Sequence, residues 1–177
     1  MDKLKALLAQ DFLGKAPLLA GELVKKLSLR GESIASAESC TAGLGAAHIA
    51  AIPGASMVLW GSFVCYGVES KHKMLGIPED AIKAHGPVSR PIALAMAEAA
   101  LEKSGASWAF SITGLAGPAA DAYGSPVGTV WVGIACKKNH IASYAVGFLI
   151  EGSRNDVRES AAAIAFNEIL KCIEKEK

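Results

Sequence analysis

The chain has 177 residues, 51% of them apolar, with 18 basic side chains against 17 acidic ones. That length suits one domain able to bury its own core, and a balanced charge supplies no field for a nucleic-acid backbone or an acidic membrane surface, so neither is expected as a partner. Cys40, Cys65, Cys136 and Cys172 are widely spaced with no CxxC pair, which predicts reduced thiols rather than a disulfide framework.

Met1-Asp2-Lys3-Leu4-Lys5 opens on alternating charge rather than an apolar run, so a cytoplasmic location is expected. Leu4, Leu7, Leu8 and Phe12 recur at helical spacing before Gly14, predicting a helical extension over residues 1–15 ahead of a main domain over 16–177. Pro17 opens a second helix with Leu19, Leu23 and Leu27 on one face, closing near Arg30-Gly31. Ile34 to Ala37 then reads as a buried strand, and Gly43 to Ile52 as a helix of small residues.

From Glu38 to Glu69 no Asp, Glu, Lys or Arg intervenes. Length alone fits a membrane span, but His48, Pro53 and several glycines and serines interrupt the run, so it reads as buried helix, turn and a long buried strand over Met57–Tyr66. Glu69 to Leu75 is helical in pattern, Pro78 starts a short helix closed by His85-Gly86, and Ser89 can cap a helix from Arg90 to Lys103. Trp108–Ile112 makes a third strand, Thr129–Cys136 a fourth, and Lys137-Lys138-Asn139 turns into an antiparallel fifth over His140–Phe148. A last helix follows Gly152-Ser153-Arg154 with Val157, Ala161, Ile164 and Ala165 on its buried stripe. Strands alternating with helices predict an α/β three-layer α/β/α sandwich with a mixed five-stranded sheet.

Three strand ends deliver polar residues that a plain core does not need: Ser39, Tyr66 with Lys71, and Thr113-Gly114. Sites in open α/β sheets gather outside the carboxyl ends of parallel strands. Ser39 and Thr41 also read as helix caps, the reading that the local pattern favours, but the first amides of the following helix point at the same turn and are suited to an oxyanion. A lysine whose pKa is lowered by burial can take a serine proton, and Lys71 follows the uncharged strand; as an exposed helix lysine it has no such role. The Thr113–Pro118 loop offers free amides for a phosphate, with Arg154 able to add a charged fork. His48, His72, His85 and His140 show no ligand spacing, so no metal is expected.

Ala37-Glu38-Ser39-Cys40-Thr41, Pro53-Gly54-Ala55-Ser56, Tyr66, Glu69, Lys71, Leu75-Gly76-Ile77-Pro78, His85-Gly86, Val88-Ser89, Thr113-Gly114, Ala116-Gly117-Pro118 and Pro126-Val127-Gly128-Thr129-Val130-Trp131 together resemble the CinA C-terminal domain family from about Leu19 onward. Its characterised enzymes are nicotinamide-nucleotide amidohydrolases, which convert nicotinamide mononucleotide to nicotinate mononucleotide and ammonia. The resemblance implies Ser39 as nucleophile, supported by Tyr66 and Lys71. It also implies substrate contacts at Glu38, Cys40, Thr41, Thr113, Gly114, Gly117 and Arg154, no cofactor, and a homo-oligomer acting on a small nucleotide.

Several positions depart from the family pattern: Ala42 stands for the first glycine of Glu-Ser-Cys-Thr-Gly-Gly, Val68 for an asparagine, Ala119-Ala120 for a Gly-Gly pair, Ser125 for a lysine and Ser153 for an aspartate. They bear on the substrate more than on the fold. The alternative function is a paralogue that binds a nucleotide or regulates without hydrolysis.

Overall fold

Ile34–Glu38 is buried at every residue, as befits a strand covered on both faces, and the site is built from its carboxyl end. The computed structural model describes residues 4–138 and 141–175. Its six strands are β1 (Lys5–Leu8), β2 (Ile34–Glu38), β3 (Leu59–Val64), β4 (Trp108–Gly114), β5 (Thr129–Cys136) and β6 (Tyr144–Glu151). They form one sheet in the order β1-β6-β5-β4-β2-β3. Strand β5 runs antiparallel to β4 and β6, while β2 is parallel to both β3 and β4, and β1 is parallel to β6.

The helices are α1 (Ala16–Arg30), α2 (Leu44–Ala50), α3 (Val68–Leu75), α4 (Glu79–His85), α5 (Arg90–Ser104) and α6 (Arg154–Glu174). Helices α1, α2 and α6 pack together on one side of the sheet, and α3 and α4 pack on α5 on the other. This is the three-layer sandwich expected. Phe110 of β4 meets Phe166 of α6 edge to face, 5.8 Å between centroids, a favoured aromatic geometry. On the opposite side α5 is seated directly on the sheet, with Ser111 Oγ donating to Ala93 O at 2.5 Å. A Cβ at Gly133 would collide with that same Ala93 carbonyl, so the central strand carries no side chain there.

The expected five strands become six, because the extension over residues 1–15 does not form the expected helix among its described residues. Lys5–Leu8 instead pairs in parallel with the outer edge of β6, and Ala9–Asp11 is a single 3-10 turn. The edge of β6 offers backbone partners that a short, half-exposed amphipathic segment cannot supply for itself. Ser160 Oγ of α6 donates to Ala9 O at 3.1 Å, tying the segment to the main domain.

The long buried strand expected over Met57–Tyr66 is shorter and half exposed, Leu59–Val64. It is the other edge of the sheet, so Met57, Trp60 and Val64 remain exposed although no charge interrupts the sequence. Strand β6 starts at Tyr144, later than expected, and Asn139 of the expected turn and His140 of the expected strand lie outside the described residues. No helix among the described residues is long and apolar enough to cross a membrane, and all four cysteines are free thiols.

Gly133→Ala should lower stability by about 1–3 kcal/mol, the usual cost of overpacking. Urea denaturation checks this, with an unchanged midpoint counting against the close seating of α5.

Candidate active site

Strand β2 ends on Glu38, whose side chain is fully buried. Its Oε2 accepts from Thr41 Oγ1 at 2.8 Å and from the Gly45 amide at 3.0 Å, while Oε1 accepts from the Ala46 amide at 2.8 Å and pairs with Ser36 Oγ at 3.0 Å. A carboxylate so placed satisfies two of the orphan donors of α2 and lies at its positive end. The expectation that these helix amides serve an oxyanion at Ser39 is therefore corrected, because Glu38 occupies them. Glu38 and Thr41, expected as substrate contacts, turn inward and hold the turn together. Gly45 leaves room for this carboxylate, since a Cβ there would stand 3.1 Å from Glu38 Oε1 and 3.0 Å from Phe110 Cζ.

Between strand and helix, the Ala42 amide donates to Ser39 O at 2.9 Å and closes a tight turn. Ala42 takes φ +53°, a left-handed conformation that costs a residue with a Cβ about 1–2 kcal/mol, and Gly43 follows at φ +91°. The turn is held from its other side by Arg158 of α6, whose Nε donates to Cys40 O at 3.1 Å and Nη2 to Thr41 O at 3.0 Å. Asn155 Oδ1 accepts from Nη1 of the same guanidinium at 3.0 Å. Ser39 thus sits on a rigid turn, the residue 8% exposed. Among the described residues its hydroxyl makes no hydrogen bond, unlike a helix cap.

Ser39 and Cys40 open into a cleft of about 200 Å³ whose other walls come from Tyr66, Gly114–Gly117, Ala119 and Arg154. A larger cavity of about 490 Å³ lies between the start of α5 and the Tyr123–Pro126 segment. It contains none of these residues, so the smaller cleft is the candidate site. Arg154 spans its mouth, donating through Nη2 to Tyr66 Oη at 2.8 Å and through Nη1 to Gly117 O. Ser153 caps the helix on which Arg154 stands, with Asp156 completing a reciprocal box. A serine here caps as an aspartate does, so the departure at Ser153 leaves this end of α6 intact.

In the loop after β4, the Leu115 amide is taken by Thr129 O at 2.8 Å. The Ala116 and Gly117 amides have no partner among the described residues and border the cleft. Thr113, expected as a substrate contact, is buried and donates its hydroxyl to Pro87 O at 2.9 Å, so it fastens the strand end rather than facing the cleft. Gly114 and Gly117 do line it.

Lys71 lies on α3, 1% exposed. Burial pushes its ammonium from the ordinary 10.5 down to about 8. Its Nζ makes two long contacts, to Cys65 O at 3.4 Å and to Met96 Sδ at 3.7 Å, and bonds to neither Ser39 nor Tyr66. Lys71 is thus buried, as a working base requires, but Tyr66 is 56% exposed, and the Lys71 ammonium lies instead between the carbonyl of Cys65, just past β3, and Met96 of α5. Burial also raises the Cys40 thiol to about 11, against the pull of the Lys71 charge. The serine-bearing turn is therefore within the electrostatic reach of a lysine that gives up its proton readily.

The gap between about 8 and 10.5 corresponds to about 3 kcal/mol against folding with Lys71 charged. The unfolded chain binds this proton more tightly, so the penalty is complete below about pH 8 and fades as pH rises toward 10.5. Lys71→Met should then raise stability at pH 7 by about 1–3 kcal/mol, with the gain shrinking above pH 9. Glu38→Ala, which strands two amides and a hydroxyl, should cost about 3 kcal/mol or more. Chemical denaturation across pH checks both; a destabilised Lys71→Met or a neutral Glu38→Ala contradicts these assignments.

The sequence pattern of the CinA C-terminal domain matches residues 17–173. A CinA-like protein of Anaeromyxobacter sp. (strain K) is 42% identical over 145 residues, covering 82% of this chain and 35% of that protein. One from Mycobacterium tuberculosis (strain ATCC 25177 / H37Ra) is 43% identical over 146 residues, covering 82% and 33%. The chain thus spans about a third of the length of the curated relatives it matches. Among solved structures, the competence/damage inducible protein CihA of Agrobacterium tumefaciens superposes with a TM-score of 0.85 at 31% identity, over 92% of this chain and 98% of that one. A CinA superfamily protein of Escherichia coli gives 0.84 at 27%, over 89% and 90%. With the family pattern matched over residues 17–173 and the fold in agreement over nearly the whole length, the chain belongs to the CinA C-terminal domain family.

Proposed function

We propose that this chain is an amidohydrolase that acts on the carboxamide of nicotinamide mononucleotide or a closely similar pyridine nucleotide. The observation that carries the reading is the Ser39 hydroxyl, without a hydrogen-bond partner among the described residues and held on a tight turn in a small cleft, with a readily deprotonated lysine coupled electrostatically to the neighbouring Cys40. Ser39 Oγ attacks the carboxamide carbon and its proton passes to neutral Lys71. The C–N bond of the tetrahedral adduct then breaks, and ammonia leaves with the proton returned by Lys71. Water attacks the resulting ester by the same exchange and releases the carboxylate. The Cys40 amide, which bonds to no other residue among the described ones, is the donor offered to the developing oxyanion. The Ala116 and Gly117 amides and the unused N–H groups of Arg154 take the phosphate.

Catalysis on this reading requires Lys71 Nζ to leave its two long contacts for Ser39 Oγ, and catalytic hydrogen bonds commonly tighten only with substrate present. That same separation favours the second reading, in which the cleft binds a nucleotide and turns nothing over. Ammonia release from nicotinamide mononucleotide separates the two. Hydrolysis lost in Ser39→Ala, with melting unchanged, supports the enzyme; a parent protein that binds the nucleotide without releasing ammonia supports the binding module.

For the enzyme, kcat/KM should fall about tenfold per pH unit below about pH 8, where Lys71 becomes charged, and level off above it. A profile flat from pH 6 to 9 contradicts a role for Lys71 as base. Arg154→Ala should weaken nucleotide binding by about 1.5–3 kcal/mol in calorimetry, and equal affinity removes Arg154 from the phosphate site.

A further inference from the structure

Arg154 and Arg158 stand one turn apart on the same face of α6, but only Arg154 reaches the cleft. Arg158 instead places two donors of its guanidinium on consecutive carbonyls of the turn, Cys40 O at 3.1 Å and Thr41 O at 3.0 Å. Asn155 Oδ1, 3.0 Å from Nη1, steadies the fork from within α6. A planar cation with fixed donor directions locks the orientation of the peptide planes it bonds.

In a planar trans peptide the C=O and N–H point in opposite directions. Anchoring the Cys40 carbonyl toward α6 therefore turns the Thr41 amide away from α6. The Ser39 carbonyl is fixed likewise by the Ala42 amide at 2.9 Å, which sets the direction of the Cys40 amide beside Ser39. Glu38 grips the far end of the same turn through Thr41 Oγ1 and the first amides of α2. Among the described residues no other side chain of α6 bonds to the backbone between these anchors, so without Arg158 the left-handed Ala42 at φ +53° is free to relax.

We propose that Arg158 is a positioning residue for the Ser39 reaction: by fixing the Cys40 and Thr41 carbonyls it holds Ser39 Oγ and the Cys40 amide in the geometry that attack and oxyanion binding require. The inference rests on the amidohydrolase reading for its kinetic consequences, but not for the reactivity of Ser39 itself.

The test compares the parent with Arg158→Gln and Arg158→Lys in two measurements. The first is turnover of nicotinamide mononucleotide. The second is the rate at which a small fluorophosphonate labels Ser39, located by peptide mass spectrometry with Ser39→Ala as control. Arg158→Gln should lower kcat about 100-fold, the scale on which small misplacements of reacting groups act, with KM changed less than threefold. It should slow labelling by a similar factor, while the pH below which turnover falls stays at about 8 because Lys71 is untouched. Arg158→Lys, which keeps the charge but can reach only one carbonyl at a time, should fall between parent and Arg158→Gln in both measurements.

If the parent hydrolyses no nucleotide amide, the amidohydrolase reading fails and the labelling rates alone decide the role of Arg158. Labelling of Arg158→Gln within threefold of the parent overturns the proposal, as does a parent that is not labelled at Ser39. Should Arg158→Gln not fold, Arg158→Lys carries the comparison, and a loss of less than threefold there overturns it.

Discussion

A buried carboxylate at the end of β2 determines how everything near the cleft is arranged. Glu38 gathers the Thr41 hydroxyl, the Gly45 and Ala46 amides and Ser36 Oγ around one fully covered group. A buried carboxylate persists only where its lone pairs are met, and here the partners are the strand, the turn and the helix that must be joined. The turn that presents Ser39 is a consequence of this satisfaction. So is the loss of the α2 dipole as an external anion site, since the protein's own carboxylate already occupies it. Positive character near Ser39 has to come from elsewhere: from Arg154 across the cleft mouth, Arg158 behind the turn and Lys71, whose charge acts on Cys40.

Lys71 shows the opposite economy. Among the described residues it has neither a carboxylate partner nor a good hydrogen bond, and burial lowers its proton affinity instead. A lysine in that condition weakens the folded state near neutrality, and destabilised ionisable groups concentrate where chemistry uses them. The contrast with Glu38 separates two kinds of buried charge in one small region. One is fully satisfied and structural, and the other is left wanting and available for proton transfer.

Much of this was legible in the sequence. The strand, turn and helix around Ser39, the three-layer order and the mixed sheet follow from local patterns of apolar and small residues. The cleft-lining roles of Gly114, Gly117, Tyr66 and Arg154 follow from their places at strand and helix ends. What was not legible depends on contacts distant in sequence. Arg158 reaches the turn across 117 and 118 positions, and only its spacing of one helical turn from Arg154 hinted at a shared face. Glu38 was read as a substrate contact, although a carboxylate just ahead of a helix start is a signal for capping of this kind. The segment Lys5–Leu8 became a strand because β6 has a free edge, a fact of topology that its own residues do not encode. Absence of charge in the stretch that includes β3 suggested burial, whereas its place at the sheet edge leaves Trp60 52% exposed.

The central claim is that Ser39 forms a covalent intermediate with a pyridine nucleotide. It is tested most directly by mixing the protein with nicotinamide mononucleotide, quenching in acid on the millisecond scale and mapping the digest by mass spectrometry. The account predicts a transient nicotinate mononucleotide ester on the peptide that carries Ser39, absent in Ser39→Ala. Ammonia release with solvent oxygen entering the product but no ester at any quench time, or an adduct on another residue, contradicts it.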